Sequence, residues 1–136
     1  MYKILIGDNN SKWLDFSKKV LESHGYNVVT ALTVDSLRNL LAQNNHDLVL
    51  INATFMFGEF QDTIRTLFLQ NADKPIIIVS VPSLTHTTLQ ETRTAFKMGA
   101  KDYVDKPFSS DQLLTLVKQL LEQFVGDKIK HQGVAP

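Results

Sequence analysis

Short apolar runs rich in β-branched residues recur along this chain, and the stretches between them carry helical periodicity. The runs are YKILIG (2–7), YNVVTA (26–31), DLVLIN (47–52) and KPIIIVS (74–80), with a weaker fifth, KDYV (101–104). Most are apolar without alternation, which is the pattern of strands buried on both faces, as in a parallel sheet. No other feature restricts the fold as strongly.

The intervening segments supply the helices. Trp13, Phe16, Val20 and Leu21 fall on one helix face, as do Val34, Leu37 and Leu41, and Phe60, Ile64, Leu67 and Phe68. Leu113, Leu116, Val117, Leu120, Leu121 and Phe124 follow the i, i+3, i+4, i+7 rule most clearly. Ser109 and Gln112 offer a capping box at its start. The segment 85–98 is less periodic but ends at Gly99, a helix-stop signal. Five βα units in succession predict a doubly wound α/β domain with a five-stranded parallel sheet and right-handed crossovers. In such a sheet the functional crevice lies at the carboxyl ends of the strands.

Composition narrows the function classes. The chain has 136 residues, 43% hydrophobic and 21% charged, which suits one domain with a sizeable core. Lysine plus arginine and aspartate plus glutamate both number 14, so global charge gives no argument for nucleic acid or an anionic membrane. With no cysteine, disulfides, thiolate metal sites and cysteine nucleophiles are excluded. The opening MYKILIGDNN turns polar too soon for a signal peptide, and no apolar run approaches membrane-spanning length. The expectation is a cytoplasmic domain over 1–124 and a polar tail or linker over 125–136, too short to hold an output domain.

The strand ends bring a short set of polar groups together. Asp8 and Asn9 follow the first strand, Asn52 ends the third, Ser80 ends the fourth, and Lys106 and Pro107 follow the fifth. With these residues in place, the chain resembles the receiver domain of two-component response regulators, the CheY-like, flavodoxin-like fold, from about residue 3 to residue 124. ILIGDNN stands where that family has a strand and paired acids. LESHGYNVVTA resembles its helix-to-second-strand turn, and DLVLIN its phosphoacceptor strand. KPIIIVS resembles the fourth strand with its terminal Thr or Ser. MGAKDYVDKPF, the most specific piece, is close to the family's Gly-Ala-x-x-Tyr-x-x-Lys-Pro-Phe.

The resemblance implies the strand order 2-1-3-4-5. It implies that an acid pair and a phosphoacceptor aspartate hold Mg²⁺, and that a Thr or Ser and a Lys bind phosphoryl oxygens. It also implies that an aromatic on the fifth strand switches with phosphorylation. This chain keeps Asp8, Ser80, Tyr103 and Lys106. It departs at Asn9, in place of the second acid, and at Asn52, in place of the phosphoacceptor. Met56 and Val81 are further departures, and together they argue for drift of the whole site over one engineered swap. A carboxamide cannot form an acyl phosphate. Mg²⁺ prefers carboxylate oxygens and water. Three carboxylates and a lysine sum to −2 in the family pocket; Asp8 against Lys106 sums to zero here. One unit charge pair at ~4 Å is worth about 4 kcal/mol gross at an effective dielectric near 20. The expectation is therefore no phosphorylation at Asn52 and weak or absent Mg²⁺ binding, with Asp8 the one residual candidate ligand. Lys106 is expected to pair directly with Asp8.

The function this implies is a phosphorylation-independent receiver that is not an enzyme. It would act on a protein partner or an attached output domain, with no direct nucleic-acid or membrane contact. The interaction face would be 85–124, which could also pair two copies of the chain, with Asp102, Tyr103 and Lys118 on it and Phe57 as an exposed apolar contact. Ser80 and Tyr103 are the switch candidates. Two other readings stay open: a working phosphorelay receiver with a weakened Mg²⁺ site, and a flavodoxin-like mononucleotide-binding domain. GDNNSK, which lacks a glycine-rich phosphate loop, argues against the latter. Trp13 fits the buried stripe of the first helix. The histidines at 24, 46, 86 and 131 fit no metal spacing and read as solvated surface.

Overall fold

A computed structural model of the chain describes residues 2–56, 73–80 and 99–126, together with 65, 66, 69, 93 and 97. Five strands form one parallel sheet: β1 (Lys3–Gly7), β2 (Asn27–Ala31), β3 (Leu48–Asn52), β4 (Ile76–Ser80) and β5 (Asp102–Asp105). Their order across the sheet is β2-β1-β3-β4-β5, the order expected above. The helices are α1 (Ser11–Glu22), α2 (Val34–Ala42) and α3 (Ser110–Leu121). A 3₁₀ turn follows β3 (Ala53–Met56), and a π turn continues α3 (Glu122–Gly126). Residues 93 and 97 are helical. Gly99, at φ +123°, holds the left-handed conformation that suits a glycine stop. Among the described residues no helix is long and apolar enough to cross a membrane.

Both faces of the sheet are apolar because strand residues alternate between two cores. Leu5, Val49, Ile51 and Ile76 pack with Leu37 and Leu41 of α2 and with Phe55. Ile4, Ile6, Leu48, Leu50 and Ile77 pack with Leu14 and Leu21 of α1 and with Leu113, Val117 and Leu120 of α3. Each such buried aliphatic side chain contributes about 1.5–3 kcal/mol relative to exposure. This two-sided burial is why the strands read as unbroken apolar runs. Gly7 lets α2 come close: a Cβ there would lie 2.8 Å from Cδ2 of Leu37 and 3.2 Å from Cδ2 of Phe55.

The helix starts are set by side-chain caps. Oδ1 of Asn10 accepts from the backbone N–H of Lys12 and Trp13, and Oγ1 of Thr33 accepts from the backbone N–H of Ser36. Ser109 and Gln112 form the reciprocal capping box expected from the sequence.

Three expectations need correction or limits. The buried face of α1 is Leu14, Ser17 and Leu21. Trp13, Phe16 and Val20 are half-buried at the edge of that core, where Phe108 from the loop before α3 packs against Trp13 and Phe16. His46 is not solvated surface; it is 4% exposed. Asp47, next to it, donates its N–H to Lys3 O and accepts the Lys3 N–H at Oδ2, both at 2.8 Å. That exchange draws the start of β3 into the sheet and carries His46 inward. The stripe of Phe60, Ile64, Leu67 and Phe68 lies outside the described residues, as do Phe57, Val81 and 127–136.

Candidate functional site

The parallel register lines up the carboxyl ends of the strands. Gly7 pairs with Ala31 and Ile51, Asn52 with Val79, and Ser80 with Asp105. The residues just beyond these pairs therefore share one crevice. Asp8 is fixed at its rim by its own N–H, which donates to Ala31 O at 3.0 Å.

Four side chains meet there. Oδ2 of Asp8 accepts from Nζ of Lys106 at 2.8 Å, the direct pair expected from the sequence. Oδ1 of Asp8 accepts from Nδ2 of Asn52 at 2.9 Å and from the backbone N–H of Asn10 at 2.9 Å. Nδ2 of Asn52 also reaches Oδ1 of Asn9, at a long 3.5 Å. Asp8, Asn52 and Lys106 are 4%, 2% and 8% exposed, so the ion pair and the amide contact are shielded from water. A pair so buried is held by its added hydrogen bonds as much as by attraction between its charges.

The aromatic flank of α1 completes the site. Nζ of Lys106 lies 5.6 Å from the centre of the Trp13 ring, within cation–π range. Trp13 in turn packs on Phe108 at 4.7 Å and on Phe16 at 5.6 Å. The sequence reading missed this part of Trp13 and the double use of Asn10, which caps α1 and bonds Asp8. The capping signal of Asn10 was visible. Nothing in the linear sequence marked Trp13 as a neighbour of Lys106.

This donor set does not suit Mg²⁺. Both oxygens of the Asp8 carboxylate, the one at this crevice among the described residues, face hydrogen-bond donors, and Asn52 directs its N–H₂ at Asp8. A divalent ion would have to displace an ammonium group and turn the amide around, in a pocket whose two formal charges cancel. The nitrogen lone pair of the Asn52 amide is delocalised into its carbonyl, which leaves the group a poor nucleophile. The arrangement holds the ends of β1, β3 and β5 together through side-chain contacts.

The remaining predicted residues are placed as follows. Ser80 ends β4; its side chain lies outside the described residues. Tyr103 of β5 is 46% exposed and lines a shallow, mostly apolar groove of about 450 Å³ with Val104, Gln112, Thr115, Leu116 and Gln119. Asp102 turns its carboxylate to its neighbour, Oδ1 accepting the Tyr103 N–H at 2.8 Å. Lys118 lines a different hollow, with Tyr2, His24, Tyr26, Leu121 and Glu122, and is not among the residues lining the Tyr103 groove.

The fold agrees with the comparisons to known proteins. Residues 4–118 match the family described as the response regulator receiver domain. The chain belongs to that family, the CheY-like receiver domains of two-component signal transduction. It is 28% identical over 134 residues to the response regulator SaeR of Staphylococcus aureus (strain USA300), which covers 98% of this chain and 56% of SaeR. The chain thus spans little more than half the length of the curated relatives it matches. Among solved structures it is similar to a CheY-like receiver domain protein from Methanospirillum hungatei JF-1, with a TM-score of 0.82, 23% identity, and 93% and 98% of the two chains covered. It is also similar to the receiver domain of the Francisella response regulator 1452, with a TM-score of 0.73, 28% identity, and 90% and 98% covered.

Proposed function

We propose that this receiver domain works without phosphorylation, as a module that binds a protein partner or carries an attached output domain. Asn52 stands, on this reading, at the family's phosphoacceptor position, and Asn9 at that of the second acid. The observation that carries the reading is the closed contact set around Asp8. Lys106 takes one carboxylate oxygen and Asn52 the other, so the groups that would gather metal and phosphoryl oxygens in a working receiver are spent on each other. The domain then rests in one state, and its signal comes from whatever binds it. The groove beside Tyr103, between β5 and α3, is the surface offered to a partner or a second copy. SaeR extends well beyond the matched region, which supports an output segment in the whole protein as one such partner.

The test is an amide-resolved NMR titration with Mg²⁺ and beryllofluoride, a phosphoryl mimic that needs an acceptor carboxylate. The expected result is no saturable shift at Asp8, Asn52, Ser80 or Lys106. Saturable shifts spreading from those residues to Tyr103 would replace this reading with that of a metal-responsive, working receiver.

A further inference from the structure

At the opposite end of the sheet, His46 is buried, and neither ring nitrogen has a hydrogen-bond partner. Burying an imidazole without partners is costly, and burying its protonated form costs far more. Beside it lies a polar hollow of about 460 Å³, lined also by Lys3, Asn27, Asn44, Asn45, Asp47 and Lys74. The bonds that fasten the segment carrying His46 include a lysine contact at Asn44, where Nζ of Lys74 also donates to the backbone carbonyl at 3.3 Å. Asn44 N–H donates to Leu41 O, Nζ of Lys74 donates to Oδ1 of Asn44 at 2.7 Å, and Asp47 exchanges two bonds with Lys3. Asn44 itself holds φ +51°, in the left-handed region.

We propose that His46 is an acid-operated latch at the amino end of the sheet: protonation drives its ring out of the interior into the adjoining polar hollow and loosens residues 43–47. The hollow can accept the imidazolium, because Asp47 and the asparagine oxygens are acceptors close to the start of β3. Burial is the largest cause lowering the basicity of His46, to about 4, and Lys74 adds to it. Asp47 acts the other way; Lys3 lowers and Asp73 raises. The facing charges thus come from β1, from the start of β3 and from the turn before β4, two lysines against two aspartates. Burial outranks all four of them, so hydration of the ring decides the movement. This inference does not depend on the state of the Asp8 crevice.

The test follows the His46 ring resonances of the full chain by NMR from pH 7.5 to 4.5. Alongside, it measures protection factors for the Asn44 and Asp47 amides, corrected for intrinsic exchange. The expected result is a His46 titration well below that of a free histidine. Protection at Asn44 and Asp47 should fall about tenfold per pH unit between roughly 6 and 4.5, and stay below that of Leu50 throughout. In His46→Leu the fall should vanish. Three outcomes would overturn the proposal: an ordinary titration near 6.5, protection at Asn44 and Asp47 equal to that of Leu50, or an unchanged acid response in His46→Leu. Should that variant not fold, the wild-type ring titration and the comparison with Leu50 still decide.

Discussion

Nζ of Lys106 sits 2.8 Å from Oδ2 of Asp8, with both side chains inside the protein at the carboxyl edge of the sheet. One residue follows β1 and the other follows β5, so the pair spans the crevice across β3 and β4. Around it Asn52 and Asn10 donate to the second oxygen of Asp8, and the Trp13 ring lies alongside the ammonium.

Removing one partner leaves the other buried and uncompensated. Lys106→Met should destabilise the domain by about 3–5 kcal/mol. Adding Asp8→Asn should recover much of that loss, since the orphaned charge is then gone. Urea unfolding of the two single variants and the double variant measures the coupling. Additive losses would count against a coupled pair.

Asn52→Asp places a second carboxylate against Asp8. Without a divalent ion the variant should be less stable than wild type by about 1–3 kcal/mol, from like-charge repulsion and a lost N–H donor. Mg²⁺ should restore it, because an ion that binds only the folded state raises its stability with concentration. Thermal unfolding with and without Mg²⁺ should show a rise for the variant and none for wild type. A variant indifferent to Mg²⁺ would show that the acid at position 52 is not what the site lacks.

Trp13 is the single tryptophan of the chain, so its emission reports on the crevice without labels. Lys106→Met should shift that emission. Trp13→Leu should weaken the domain by more than Trp13→Phe, with about 0.5–2 kcal/mol of the difference traceable to the cation–π contact. That share is isolated by repeating both changes in the Lys106→Met background.

Gly7→Ala drives a methyl group into Leu37 and Phe55, which are 0% and 4% exposed and hemmed in by the core. The expected loss is about 1–3 kcal/mol. A denaturant midpoint equal to that of wild type would mean α2 can move away at no cost.

Acid should weaken the whole domain through His46. Its folded value, about 4, lies below the ordinary 6.5, so the unfolded chain binds the proton more readily. The stability it contributes is complete above about pH 6.5 and is lost as pH falls toward 4, at no more than about 1.4 kcal/mol per unit. Urea midpoints across that window should slope for wild type and flatten for His46→Leu.

Much of the architecture was legible because local rules and tertiary demands agree. Strands buried on both faces need unbroken apolar runs, and β1, β3 and β4 have them. Helices that pack one face need 3.6-residue spacing, and α3 shows it together with its capping box at Ser109 and Gln112. The errors fell where neighbours come from afar. Trp13 packs against the core as the helix stripe predicts, but its ring also meets Phe108, remote in sequence. His46 looked like surface because a single histidine near a turn carries no sign of which way the chain folds.

The sequence by itself determined the class of fold, the strand ends that supply polar groups, and the identity of the one acid and the amides there. Those follow from periodicity and from residue chemistry, both local properties. Only the tertiary structure decided who bonds to whom: that Asp8 divides its two oxygens between Lys106 and Asn52, that Trp13 flanks the ammonium, and that His46 is sealed without a partner. Such contacts depend on the register of parallel strands joined by long crossovers. Register sets distances between residues more than forty positions apart, which no local pattern encodes.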